Sequence, residues 1–314
     1  MKTLLILAAA AAATPAPKPA LAPSQIVAAA PKGDWVAIAA SDLLVMDLAS
    51  GKRVMIQLMP PPFSQGWVGN IRKLAAARFW DGTSINRVQD NYVVQWGDAT
   101  EKKALPNGLI KVPQSEYVVS AKGAFVSQVL EDPAPAPFLF PGMRYFYRPS
   151  TADSFRVITG FARGFQFGQG DANRDGIPTW PVHCYGMVGV GRGMPPDTGT
   201  GAELYTVIGH APRHLDRNIA LVGRVISGIE HLSSLPRGTG PLGFYEKPEE
   251  RVTITSIRIG TEVKDVPRYE YLSTESASFA AYADARANRR DPFFIVPAGG
   301  ADICNIPVPV RVSK

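Results

Sequence analysis

The stretch Phe79 to Asp98, FWDGTSINRVQDNYVVQWGD, is the part of the chain that most narrows what it can become. Runs of β-formers flank an Asp90-Asn91 turn, so the stretch reads as two strands of a hairpin. Into that apolar rhythm it sets Arg87, then Tyr92, then Gln95. On the inner face of a sheet an arginine is costly unless it is paired or meets a ligand. A fold that keeps this hairpin must therefore give Arg87 partners or put it to use.

Much of the remaining chain reads as strands too. Leu43–Leu48 and Arg53–Leu58 flank a turn containing Gly51, and Pro60, Pro61 and Pro62 end the second run. From Gly66 to Phe79 the period changes. Val68, Ile71, Leu74, Ala75 and Phe79 fall near one helical face, with Asn70, Arg72 and Lys73 off it. Strand patterns resume at Met187–Val190, Glu203–Ile208 and Ala220–Val225. A short helix over Gly228–Ser234 and a final strand over Arg251–Ile259 come next. A later helix is expected near Thr274–Arg289, where Glu275 sits early and Arg286 and Arg289 late, as the helix dipole favours. The 29 Gly and 28 Pro imply many turns. Strands in this number, with one helix early and one late, suit a closed antiparallel barrel with two end helices, because closure removes sheet edges.

The expected organisation is a signal peptide over 1–22, a first barrel part over 33–98, an insertion over 99–182, a second barrel part over 183–262 and a C-terminal extension over 263–314. The insertion is too long for an ordinary loop. Its EDPAPAPFLFPG stretch, Glu131–Gly142, excludes regular structure there, while Tyr117–Val119 and Phe155–Ile158 could be strands. The start, MKTLLILAAAAAATPAPKPALAPSQ, has one basic residue and a short apolar run, Leu4–Ala13. That is the pattern of a secretory signal and is too short for a membrane span. Cleavage could follow Ala22 or Ala13, and an uncleaved anchor is the alternative. No later run is long and apolar enough to span, so an exported, periplasmic protein is expected. In that compartment Cys184 and Cys304, the two cysteines, would form one bridge tying tail to barrel. As free thiols they would behave as small buried hydrophobes. The net charge of +6 is scattered, with no five-residue basic block, which fits solubility rather than nucleic-acid binding.

The quoted stretch resembles the signature of the cyclophilin family of peptidyl-prolyl cis–trans isomerases. The block GMVGVGRGMPPDTGTGAELYTVIGHAPRHLDRNIALVGRVISGIE resembles that family's second block. The resemblance covers roughly Trp35–Asp98 and Tyr185–Val263. It implies a closed eight-stranded barrel with two capping helices, no cofactor or metal, proline-containing polypeptides as partners and a monomeric state. It further implies that Arg87 is catalytic. Tyr92, Val93, Tyr205 and Leu215 would form the proline pocket, Gln95 would hold the substrate backbone, and Gly191 would stand where a small alanine is usual. Glu203 replaces a glutamine, His214 an aromatic residue, and Ile219 a histidine or tyrosine. Leu204 and Trp96 are further departures. Glu203 is also placed to pair with Arg87, orienting it or occupying it.

Other patterns compete. DANRDG, Asp171–Gly176, opens like a calcium loop, but its twelfth position is Val182 and a turn without an ion is the expectation. His183, Cys184, His210 and His214 match no common zinc spacing. GVGRG, Gly189–Gly193, lacks the remaining residues of a phosphate loop. Two functions fit these patterns: an isomerase of X–Pro bonds in exported proteins, or a catalytically weak module of the same fold that grips proline segments. A calcium-stabilised interaction arm in the insertion is a third.

Overall fold

The patterned segments do pair into strands. The structure, a computed structural model, describes residues 19–121, 144–145, 158–170, 174 and 176–313. In chain order the strands are β1 (Trp35–Ala37), β2 (Leu43–Leu48), β3 (Arg53–Leu58), β4 (Ser84–Val88), β5 (Val93–Gly97), β6 (Val119–Ala121), β7 (Arg144–Tyr145) and β8 (Ile158–Ala162). They continue with β9 (Phe165–Gln169), β10 (Ile177–Pro181), β11 (Met187–Val190), β12 (Leu204–Val207), β13 (Leu221–Ser227), β14 (Val252–Ile259), β15 (Tyr269–Leu272) and β16 (Val310–Val312). The helices are α1 (Pro23–Ala29), α2 (Gln65–Ala76), α3 (Glu230–Ser233) and α4 (Ala277–Ala287).

Eight antiparallel strands close into a barrel in the order β11-β12-β5-β4-β14-β2-β3-β13, with β13 returning to β11. Met46, Val54, Ile85, Val94, Trp96, Val188, Leu204 and Ile257 are fully buried in its core. The turn between β4 and β5 needs a left-handed residue, and Asn91 supplies it at φ 49°. Helix α2 packs on β13 and β14. It is anchored by Trp67, whose indole N–H donates to the carbonyls of Thr198 (3.1 Å) and Gly199 (3.0 Å).

The late helix goes elsewhere. The Ser276 hydroxyl accepts the Phe279 N–H at 3.0 Å and starts α4. Its apolar side then meets α1 and Phe161 of β8, with Phe279 edge-on to Phe161 at 4.9 Å. Of the two end helices expected from the pattern, α2 lies on the barrel strands, whereas α4 packs on α1 and the insertion. The single turn α3 comes directly after β13.

The insertion forms its own sheet, β6-β10-β9-β8-β7, and the tail strands join the N-terminal segment as β1-β15-β16. Both additions cover a flank of the barrel. Arg224 of β13 is buried there, with its guanidinium carbon 4.9 Å from the Phe165 ring and 6.0 Å from the Tyr271 ring. Its Nε donates to Gln57 Oε1 at 3.0 Å, and burial draws its pKa down to about 10. Phe63 stacks on Phe167 at 4.2 Å beside it. Cys184 and Cys304 are joined by a disulfide across 5.0 Å between Cα atoms, linking the start of the second barrel part to the tail. The apolar run Leu4–Ala13, the Glu131–Gly142 stretch, most of Phe155–Ile158 and the acidic residues of the Asp171–Gly176 loop lie outside the described residues. The segment expected as a strand at Tyr117–Val119 is the end of a 3-10 turn, with β6 beginning at Val119. Among the described residues no helix is long and apolar enough to cross a membrane.

Candidate active-site groove

Arg87 reaches the outside of the barrel, not the inner face that the strand pattern suggested. The β4–β5 pairing shifts register between Ile85 and Arg87, a bulge that inserts Asn86 and re-aims the next side chain. Arg87 thus stands beside Gln95, its partner in the register. Its Nη1 donates to Gln95 Oε1 at 3.1 Å, its Nε to the Leu242 carbonyl at 2.8 Å and its Nη2 to Gln89 Oε1. Three of five N–H donors are so used, and two remain for a ligand. The rings of Tyr92 and Phe244 flank the guanidinium at 5.7 and 5.4 Å. Burial lowers the Arg87 pKa, and nearby Tyr92 opposes the shift.

The direct Arg87–Glu203 ion pair that the sequence allowed does not form. Gln95 stands between the two: its Nε2 donates to Glu203 Oε2 at 3.4 Å. The amide orientation is fixed by chemistry, since a guanidinium only donates and a carboxylate only accepts. Burial pushes the Glu203 carboxyl up to about 7, against the pull of the Gln95 and Asn86 amides, with Asp98 and Glu101 adding to the rise. The carboxylate lies over Gly97, where any side chain would collide with it. Gly191 donates its N–H to the Glu203 carbonyl at 2.9 Å, and a Cβ there would press on the Glu203 side chain.

Beside this polar row lies a small apolar cluster. Val93, Tyr205 and Val207 form a buried cluster, with Tyr92 and Ile219 packed against it. His214, exposed, stacks on Tyr92 at 6.3 Å with ring planes 9° apart. Leu215 sits half-buried on a 3-10 turn, and its carbonyl accepts the Ile219 N–H at 3.2 Å.

Tyr205 has a hydroxyl that must be satisfied in this buried position. It reaches His183 Nε2 at 2.9 Å, and His183 Nδ1 meets Asp216 Oδ1 at 2.9 Å. Arg213 Nε donates to Asp216 Oδ2 at 2.6 Å. Burial lowers the His183 pKa, so the ring is neutral; its Nδ1–H donates to Asp216 and its Nε2 accepts from Tyr205. Burial would raise the Asp216 carboxyl, but His183 and Arg213 outweigh it and hold it below its ordinary value. Burial also raises the Tyr205 hydroxyl well above its usual range. The chain Tyr205–His183–Asp216–Arg213 ends near Asp302 of the tail, 3.8 Å from Arg213. Both nitrogens of His183 and the sulfur of Cys184 are thereby committed, which removes them from any zinc set.

Several groove residues escape the sequence reading. Leu242 and Phe244 fold back over Arg87 from a Gly-rich loop, and Phe244 makes an isolated bridge to it. Gly243, at φ 81°, lies so near Gln89 that a side chain would clash with its backbone. Asn86 owes its place to the bulge. The glycines at 238, 240 and 243 were the available signal for a close backbone approach, but they have no strand or helix period.

The outer face of the closed barrel thus carries a guanidinium beside a small apolar cluster. Residues 53–259 match the family described as cyclophilin type peptidyl-prolyl cis-trans isomerase/CLD, and the chain belongs to that family. Among solved structures the fold is similar to the cyclophilin AquaCyp293 from Hirschia baltica, with a TM-score of 0.64 at 22% identity over 89% of this chain and 94% of that one. A cyclophilin type isomerase of Cryptosporidium parvum, solved in the presence of the dipeptide Ala-Pro, aligns at a TM-score of 0.39 and 10% identity over 69% of this chain and 98% of that one. No curated protein matches the sequence.

Proposed function

We propose that this chain isomerises X–Pro bonds of exported polypeptides, with Arg87 stabilising the twisted amide. The observation that carries the reading is Arg87 held by Gln95, Leu242 and Gln89 over Tyr92, which packs on the Val93–Tyr205 cluster, with two donors unspent. The barrier to rotation is amide resonance, about 18–20 kcal/mol in an ordinary peptide bond. Twisting the bond localises the nitrogen lone pair. A guanidinium aimed at that nitrogen interacts with the twisted state more strongly than with either planar one, which lowers the barrier. The pocket holds the proline ring while the preceding carbonyl swings, and no cofactor enters the scheme. Export rests on the leader-like sequence of residues 1–22 and suits the disulfide.

The second reading, a gripping module without useful turnover, is favoured by His214 stacked on Tyr92 at the pocket mouth and by Ile219 inside it. A protease-coupled isomerase assay on an Ala-Pro tetrapeptide separates the two. Catalysed exchange well above the spontaneous rate of tens of seconds supports the enzyme. Peptide binding without any acceleration gives the module.

A further inference from the structure

We propose that Glu203 makes this groove select proline segments that carry a lysine or arginine within about two residues of the isomerising bond. The proposal rests on the isomerase reading of the groove and adds its substrate class. Glu203 is a carboxylate half-buried beside the reaction centre, and no cation pairs with it among the described residues. Its hydrogen-bond partner is a neutral amide, Gln95 Nε2 at 3.4 Å, and the charged groups that act on it, Asp98 and Glu101, are acidic. None of the described cations of the surrounding elements is bonded to it. Arg87 reaches Glu203 only through Gln95. Arg192, next to Gly191, donates to the carbonyls of Asn218 (3.1 and 3.0 Å) and Gly193 (2.7 Å). Lys103 donates to the Asp81 carbonyl at 2.7 Å, and Lys102 is exposed.

A half-buried carboxylate with acidic neighbours and no cation is a site that a ligand cation completes. The reach is set by the hydrogen-bond row. One amide side chain and two hydrogen bonds of 3.1 and 3.4 Å separate the guanidinium from the carboxylate. About two extended residues at 3.3–3.6 Å each cover that span. Gly97 and Gly191 leave the approach without side chains of their own. Burial sets the carboxyl near neutrality, so its charge, and the selection with it, grows between pH 6 and pH 8. A substrate lysine stays protonated throughout that range.

The test is a panel of tetrapeptides with Lys, Ala or Glu at the two positions before proline and the one after it. Isomerase rates and binding constants are read at pH 6 and pH 8. At the best position the Lys-over-Ala ratio should be about tenfold at pH 8, the size of one charge-assisted hydrogen bond, and smaller at pH 6. Glu203→Gln should bring the ratio close to one at both pH values, whatever its absolute rate, and Glu203→Lys should shift the preference to the Glu peptide. A ratio of one or below at every position at pH 8, or a ratio that survives Glu203→Gln, overturns the proposal. If the Ala peptide binds but is not turned over while the Lys peptide binds more tightly, the isomerase reading falls and the cation selection stands.

Discussion

Two polar rows flank the Val93–Tyr205–Val207 cluster, and they are built in opposite ways. Arg87–Gln95–Glu203 lies along the outer face of the barrel, half-buried, with long arms, spare donors and a carboxyl that titrates near neutrality. Tyr205–His183–Asp216–Arg213 runs behind the pocket. His183 and Asp216 are sealed from water, and the disulfide pins the residue next to His183. The first row keeps donors and charge available to something outside the protein. The second spends its donors internally and holds one pocket wall in one geometry. The proposed isomerase function would use both: a rigid wall to hold the proline ring, and a polar edge that responds to the rotating bond.

The sharpest way to break the contrast is to remove the centre of the sealed row. Asp216→Ala leaves Arg213 and His183 without their carboxylate in a buried place and should cost ~3–5 kcal/mol, read as a lower Tm or denaturation midpoint. Opening the disulfide comes next. Cys304→Ser releases a loop closed across 120 residues, and about 2–4 kcal/mol of stability should go. Dithiothreitol on the unmutated protein should give a similar loss.

Glu203→Gln should act in the other direction. The folded carboxyl has its pKa raised to about 7 from 4.5, so its favourable contribution is complete below about pH 4.5 and is lost as pH rises through 7. The variant should therefore gain on the unmutated protein at pH 8 relative to pH 5, by at most on the order of 3 kcal/mol. The sealed row has the opposite sign. The His183 pKa is lowered by burial, so its share of stability is present above about pH 6.5 and falls as pH drops below that. Denaturation curves across pH 5 to 8 on His183→Gln and Glu203→Gln would show the two slopes removed separately. The smallest effect is Tyr205→Phe, which keeps the ring and loses one hydrogen bond, about 1 kcal/mol.

The sequence shows these two rows unequally. Arg87 and Gln95 stand out because a charge and an amide interrupt a β-forming run, and the β2–β3 hairpin, α2 and β14 can be read from period and turn residues alone. Asp216 gives no such sign. It lies 33 residues from His183, and only the closed barrel brings the two together. A buried polar pair of this kind depends on tertiary contact, which periodicity does not encode. Asn86 needed the bulge, and Phe244 and Leu242 needed a glycine loop whose path no repeat foretells. The late helix was legible at Thr274–Arg289, but its docking on α1 was not, because its Ala-rich faces name no partner. The pocket residues Tyr92, Val93 and Tyr205 came from resemblance rather than pattern. The hydroxyl of Tyr205 was the one clue that something polar must stand behind it.

The division of labour between the rows comes down to whether Arg87 supplies rate rather than grip. The direct measurement is the cis–trans exchange rate of an Ala-Pro peptide held at saturation, by NMR exchange spectroscopy, together with its Kd, for the unmutated protein, Arg87→Ala and Arg87→Lys. The exchange rate should fall at least tenfold in Arg87→Ala, about 1.4 kcal/mol of transition-state stabilisation or more. Lysine should restore little of it, because a point charge lacks the planar fork. The Kd should change far less than the rate, since Val93, Tyr205 and Ile219 still hold the ring. An Arg87→Ala protein that exchanges the bound peptide as fast as the unmutated one, or that loses affinity and rate in equal measure, would contradict the account.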